Sequence, residues 1–187
     1  MVMNCNPFTL GHRYLIEEAH KRVDFLIIFV VEENKSVFSF EERFDMVSEG
    51  VKDMEHIMVV PSGDFILSQQ TFPEYFIKVA DEDIFQNVDN DITLFADCIC
   101  NQLNICYRFV GNEPNDLVTR AYNDAMKRIL PAKGIEVIEI MRMNNDDECI
   151  SASLVRKYFE NDEIEKACQL LPDTTRFMWV DKTISAE

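Results

Sequence analysis

Three short stretches carry the residue types that handle a polyanion. In Asn6-Pro7-Phe8-Thr9-Leu10-Gly11-His12 a glycine and a histidine fall where a short strand turns into a helix. The free N–H groups of a helix start, the positive end of its dipole and an imidazole converge there, which suits a phosphate. Gly11 lets the backbone approach a ligand, His12 can hydrogen-bond a phosphate oxygen, and Thr9 either adds a hydroxyl or simply caps the helix. Ile150-Ser151-Ala152-Ser153-Leu154-Val155-Arg156 reads as a second helix start, with Ser151 or Ser153 as cap and Arg156 one turn on. Two hydroxyls, free amides and a guanidinium would cradle pyrophosphate; the plainer alternative is a cap followed by a solvated arginine. Val110-Gly111-Asn112-Glu113-Pro114 closes a strand, as a tight turn or as a backbone approach to a purine or ribose. Together the three segments suggest an enzyme that acts on a nucleoside triphosphate.

Other candidates are weaker. Lys35 and Arg43 flank the acidic loop after the second strand and the segment Phe38-Ser39-Phe40-Glu41-Glu42-Arg43. They are either phosphate or substrate contacts, or part of a solvated loop and helix start. Ser62 to Lys78, with Thr71-Phe72-Pro73-Glu74-Tyr75-Phe76, is aromatic-rich and either covers a pocket or packs as a connection. Asn144-Asn145-Asp146-Asp147-Glu148 reads as a wet loop. The thiols of Cys98-x-Cys100 point in different directions on a helix. No P-loop and no G-x-S-x-G elbow occurs.

Composition narrows the partners. Of the 187 residues 47% are apolar and 28% charged, enough for one sizeable core. Acids outnumber bases 34 to 18, a net charge of −16, so nucleic acid is a poor partner and any polyanion must be met by a few local donors. The apolar run from Phe25 to Val31 is far too short for a membrane span, and no secretory signal opens the sequence. Six cysteines without CxxC spacing and three histidines apart from them give no zinc-ligand set and point to a reducing cytoplasm.

The elements that must position these residues alternate. Strands are expected at Val2-Met3-Asn4, Phe25 to Val31, Ile57 to Val60, Cys106 to Val110 and Ile135 to Ile140, the last edge-like because it carries two glutamates. Helices are expected over 11–22, 40–51, 84–103, 116–129 and from 151 onward. In the first, Glu17/Lys21 and Glu18/Arg22 pair on the wet side while Leu15, Ala19 and Val23 face inward. Such alternation predicts a doubly wound parallel α/β sheet of about five strands, a single Rossmann-like domain, with ligands at the carboxyl ends of the strands. The brevity of the first strand suggests the remnant of a longer one with another domain before it.

In this order, the Thr-x-Gly-His and Ile-Ser-x-Ser-x-x-Arg motifs resemble the nucleotidyltransferase superfamily of adenylyl- and cytidylyltransferases. Asn4-x-Asn6-Pro7-Phe8-Thr9-Leu10-Gly11-His12, Phe38 to Arg43, Thr71-Phe72-Pro73-x-Tyr75-Phe76, Val110-Gly111-x-Glu113-Pro114 and Ile150 to Ser153 narrow this to the C-terminal domain of citrate lyase ligase. Thr71-Phe72-Pro73 and Gly111-x-Glu113-Pro114 are the specific parts, since coenzyme-making relatives usually carry Gly-x-Asp at the latter. The resemblance implies ATP with Mg²⁺, and acetate joined through an acetyl-adenylate to the prosthetic-group thiol of the citrate lyase acyl carrier subunit, releasing AMP and pyrophosphate. It implies an acetyltransferase-like domain before this one. His12, Thr9 and Arg156 would be catalytic; Asn6, Pro7, Phe8, Gly11, Gly111, Asn112, Glu113, Ile150, Ser151 and Ser153 would bind nucleotide; Lys35, Arg43 and Thr71 would meet substrate. Lys35 stands at a different offset to Phe38 from the loop lysine of coenzyme-making relatives. An acidic carrier would need a local basic patch, for which Lys127, Arg128, Lys133, Arg142, Arg156 and Lys157 are candidates. The alternatives are a coenzyme-making transferase and a non-catalytic nucleotide-binding module.

Overall fold

The computed structural model describes residues 1–68, 71, 84–113, 116–145 and 148–184. The strands form where the apolar runs place them: β1 Val2–Met3, β2 Leu26–Val30, β3 Ile57–Pro61, β4 Tyr107–Gly111 and β5 Glu136–Ile140. Among the described residues they hydrogen-bond as a three-stranded sheet in the order β1-β2-β3 and a two-stranded pair β4-β5, so the largest sheet has three strands. β2 pairs with β3 in parallel, Leu26 opposite Ile57 and Val30 opposite Pro61. β4 pairs with β5 in parallel, Tyr107 opposite Glu136 and Gly111 opposite Ile140. These parallel sheets with flanking helices are the expected Rossmann-like α/β architecture.

The helices are α1 Leu10–His20, α2 Phe40–Gly50, α3 Ile84–Leu94, α4 Leu117–Ile129, α5 Ala152–Glu160, α6 Ile164–Gln169 and α7 Asp173–Ile184. α3 runs on through a π-helical stretch, Phe95–Cys100, into Asn101–Leu103. There Cys98 is exposed and Cys100 buried, and all six cysteines are free thiols. No described helix is long and apolar enough to cross a membrane.

Two compact units are present. One comprises Met1–Val2, Val31–Lys35 and Ser62–Met141; the other comprises Met3–Val30, Ser36–Pro61 and Arg142–Glu187. In the first, Asp116 caps α4 by accepting from the Thr119 amide at 2.8 Å, and Val118, Tyr122, Ala125 and Met126 make its buried face. Buried Asp91 of α3 accepts from the Tyr122 hydroxyl at 2.5 Å and from the Leu67 amide at 3.2 Å. Glu136 and Glu139 of β5 are exposed, as the edge-like reading required, and Glu139 meets Lys127 at 2.9 Å.

In the second unit β2 is buried along nearly its whole length, as an all-apolar run must be. α1 buries Gly11, Leu15, Ile16 and Ala19, while Val23 lies past its end. The expected surface pairs shift: Glu17 goes to Arg13 at 2.9 Å and Glu18 to Lys21, three residues on, at 2.5 Å. Arg13 reaches further, forking onto Asp53 at 2.7 and 3.0 Å and onto the Gly50 carbonyl at 2.6 Å, which ties α1 to the end of α2. Ile150, Val155, Ala167, Leu170 and Leu171 form a buried cluster with Leu10 and Trp179 packed on it. The expected wet loop at 144–148 instead opens and closes with a two-residue antiparallel pair, β6 Asn144–Asn145 with β7 Glu148–Cys149; Asp146 and Asp147 lie outside the described residues.

Candidate functional site

α1 begins with Thr9 in extended conformation, its hydroxyl accepting from the His12 amide at 3.3 Å. His12 answers from the third helical position: its ring Nδ1 accepts the Thr9 backbone N–H at 3.1 Å and lies 2.9 Å from the Thr9 hydroxyl oxygen. This is a reciprocal capping box in which imidazole stands where glutamate is usual. The cap reading of Thr9 therefore holds, and the cap is also the ring's mount. The Phe8 ring lies nearly parallel to the imidazole at 6.0 Å. Burial of the ring pushes the His12 pKa down to about 3, and the Arg142 charge acts in the same direction, so the imidazole is neutral at physiological pH. The Leu10 amide is taken by the Leu170 carbonyl at 2.9 Å, which leaves the Gly11 amide without a partner among the described residues.

The second helix start is built alongside. Ile150 donates its N–H to the Met143 carbonyl at 3.0 Å, and Ser151 caps α5 by accepting from the Leu154 amide at 3.1 Å. The amides of Ala152 and Ser153 have no partner among the described residues. A Cβ on Gly11 would sit 2.5 Å from the Ile150 carbonyl oxygen. That space belongs to protein, so the closeness of the two helix starts by itself requires a glycine at this position. Arg156 spans the junction, one Nη donating to the Asn6 carbonyl and the other to the Ser153 hydroxyl at 3.2 Å. It is half-buried, and desolvation lowers its pKa while Glu160 pulls the other way. Two capped helix N-termini, a neutral imidazole and a guanidinium are thus gathered in one unit, an arrangement made to receive negative charge.

Several expected contacts prove to be scaffold. Arg43 is 0% exposed; it donates to the Asn4 carbonyl at 2.8 Å, the Asn4 side chain at 2.7 Å and the Phe38 carbonyl at 3.2 Å. A side chain buried this way braces two loops and does not meet a substrate. The Asn6 carboxamide oxygen accepts from the Phe38 amide at 3.2 Å, joining the same brace. Pro7 follows a cis peptide bond and is buried; Phe8 is fully buried against α2, where a Cβ on Gly50 would meet its ring at 2.3 Å. The signal for Arg43 was present in the sequence: Arg43, Met46, Val47 and Gly50 lie on one helical face, and all are buried.

The remaining candidates lie in the first unit. Gly111 ends β4 with its carbonyl accepting from the Asn123 side chain at 3.0 Å, and Asn112 donates its N–H to the Ile140 carbonyl at 2.9 Å. Glu113 accepts the Asp116 amide at 3.0 Å and, through its carbonyl, Arg120 Nε at 3.1 Å, so this turn leads the chain into α4. Lys35 is exposed and its amide donates to the buried Glu33 carboxylate at 2.6 Å. Thr71 exchanges hydrogen bonds with Ser68 at 3.1 Å, while Phe72 to Phe76 and Pro114 lie outside the described residues. Of the six residues expected to form a basic patch, three are paired with carboxylates: Lys127 with Glu139, Arg128 with Asp89 at 2.5 Å and Lys133 with Asp97 at 2.7 Å.

Comparison with known proteins agrees with the motifs. Over 183 residues the chain is 43% identical to a citrate (pro-3S)-lyase ligase of Haemophilus influenzae, covering 94% of this chain and 54% of that protein. Against the ligases of the same name from Klebsiella pneumoniae and Escherichia coli it is 38% and 37% identical, again over 94% of this chain but 52% and 51% of theirs. The chain spans about half the length of the curated relatives it matches. Among solved structures it is similar to Thermotoga maritima TmcAL bound with alpha-thio ATP, at TM-score 0.52 and 14% identity over 98% of this chain and 55% of that one. A bifunctional NMN adenylyltransferase/ADP ribose pyrophosphatase from Francisella tularensis follows at TM-score 0.51 and 18% identity, covering 87% of this chain and 41% of that one. At such identities the likeness is one of fold, the nucleotidyltransferase fold. Residues 1–179 match the citrate lyase ligase C-terminal domain, and with the three ligases above this places the chain in the citrate lyase ligase C-terminal domain family.

Proposed function

We propose that this chain carries the adenylating site of a citrate lyase ligase. An acetate oxygen attacks the α-phosphorus of ATP, the bond to the bridging oxygen breaks, and pyrophosphate leaves. The carrier thiol then attacks the acetyl carbonyl of the adenylate, AMP departs and the thiol proton is lost. The observation that carries this reading is the meeting of the α1 and α5 N-termini around His12 and Arg156. Charge grows on phosphoryl oxygens in the first step, and this chain's part is to meet it with fixed donors: the Gly11, Ala152 and Ser153 amides, the imidazole and the guanidinium. No covalent intermediate on the protein is required. ATP as the nucleotide is supported by the family and by the ATP analogue held in the TmcAL structure.

Mg²⁺ is usually held by one or two carboxylates together with the substrate phosphates, and among the described residues no group of three or more His, Cys, Asp or Glu forms a cage for it. A metal would travel on the triphosphate, and the donors named above act without it. The free thiols support a reducing, cytoplasmic setting. Glu113 and the 71–76 segment are the sequence features that favour the ligase over a coenzyme-making transferase.

The test is acetate-dependent exchange of labelled pyrophosphate into ATP. His12→Ala removes one preorganised donor and is expected to cost about 2.7–4 kcal/mol, on the order of a hundred- to a thousand-fold in exchange rate. Undiminished exchange in the variant, or exchange driven by a phosphorylated substrate in place of acetate, would overturn the proposal.

A further inference from the structure

Thr9 was expected among the catalytic groups, yet it is 0% exposed, sealed behind the imidazole it carries. A side chain so placed does not touch a phosphate. What it touches is His12, three times over and twice at one ring nitrogen: its N–H donates to Nδ1 at 3.1 Å, its hydroxyl oxygen lies 2.9 Å from Nδ1, and that oxygen accepts the His12 backbone amide at 3.3 Å. A backbone N–H can only donate, so the nitrogen it faces must offer a lone pair. A proton on Nδ1 would strand the Thr9 amide against another N–H in a buried pocket.

Building on the adenylation reading, we propose that Thr9 is a positioning residue: it holds His12 as the neutral tautomer protonated at Nε2, so that the site presents one N–H donor to the phosphoryl group and does not use an imidazolium. Of the two ring nitrogens, Nδ1 is committed inward, which leaves Nε2–H as the donor for a ligand. Glutamate at this position would complete the same box but carry negative charge to a site for phosphate. The neutral imidazole keeps the cap and adds a donor without a second buried cation beside Arg142, whose charge already disfavours protonation of the ring.

Nitrogen-15 NMR of the histidine side chains in the free chain tests this directly, with His12 assigned among the three histidines by its loss in His12→Gln. The expected spectrum shows Nδ1 unprotonated and Nε2 protonated at pH 7. Thr9→Val removes the hydroxyl but keeps the backbone amide; the tautomer should persist, since the amide sets it, while the ring loses one tether and kcat of the exchange falls about two- to ten-fold, one hydrogen bond's worth, with the KM for ATP little changed. Thr9→Ser, which returns the hydroxyl, should restore kcat. A protonated Nδ1 in the spectrum of the wild type or of Thr9→Val overturns the proposal, as does a Thr9→Val protein with unaltered kcat. Should Thr9→Val fail to fold, the wild-type spectrum decides alone. Absence of exchange in the wild-type chain would instead sink the adenylation reading, and the spectrum would still report on Thr9.

Discussion

Two helices in the same unit open with the same device and put it to different uses. At α2, Ser39 accepts from the Glu42 amide at 3.3 Å and donates its own N–H to the Glu42 carboxylate at 2.9 Å. At α1 the partners are Thr9 and His12. The backbone geometry is shared; the third-position side chain differs. A carboxylate at a helix N-terminus is stabilised by the dipole and repels any other anion. An imidazole satisfies the same orphan amide, stays neutral and leaves a second nitrogen to donate. The α2 box ends a structural account, whereas the α1 box has a donor left over beside the α5 N-terminus and Arg156. On the proposed reading, local stability and ligand recognition are separable at one residue.

The largest break in that comparison is to convert one box into the other. His12→Glu is expected to keep α1 capped, with urea-unfolding stability unchanged or raised by up to about 1 kcal/mol through the dipole. Pyrophosphate exchange should fall by about a hundred-fold or more. Loss of stability together with activity would show that the imidazole's place there is structural. Next comes the brace under the site. Arg43→Met strands the Asn4 and Phe38 oxygens, at about 1–3 kcal/mol each, so a loss of about 3 kcal/mol is expected in denaturant unfolding. A variant as stable as wild type would remove Arg43 from the scaffold.

The two boxes should also part in acid. The folded state holds the His12 pKa at about 3, below the ordinary value near 6.5 of an unfolded chain, so His12 contributes stability in full above that value and loses it as pH falls toward 3. The slope is up to about 1.4 kcal/mol per pH unit within that window. Comparing unfolding of wild type and His12→Gln at pH 7 and pH 5 measures it, and identical pH dependence in the two proteins would refute the lowered pKa. The smallest effect is at α2 itself. Ser39→Ala should cost about 1 kcal/mol of stability and leave kcat for exchange unchanged.

Much of this was legible before the fold. The strands follow from apolar runs, and two helix starts from Thr9 and Ser151, because capping is chemistry within three or four residues. The surface pairs of α1 were misjudged for an equally local reason: with Arg13 at hand, Glu17 has a partner on its other side. The reading of residues 144–148 as a wet loop missed β6 and β7, whose two-residue strands are too short to show alternation.

The division follows the range of the forces. The sequence by itself determined which residues could hold a phosphate, which helices they would open and which family they belong to, since those depend on neighbours along the chain. Only the tertiary structure decided that Gly11 lies against Ile150, that Arg156 reaches the Asn6 carbonyl 150 residues away, and that Arg43 braces Asn4. Those facts depend on burial and on contacts between distant segments. Helical spacing marks the face that Arg43 shares with Met46 and Val47, but nothing local encodes which distant oxygens a guanidinium will brace.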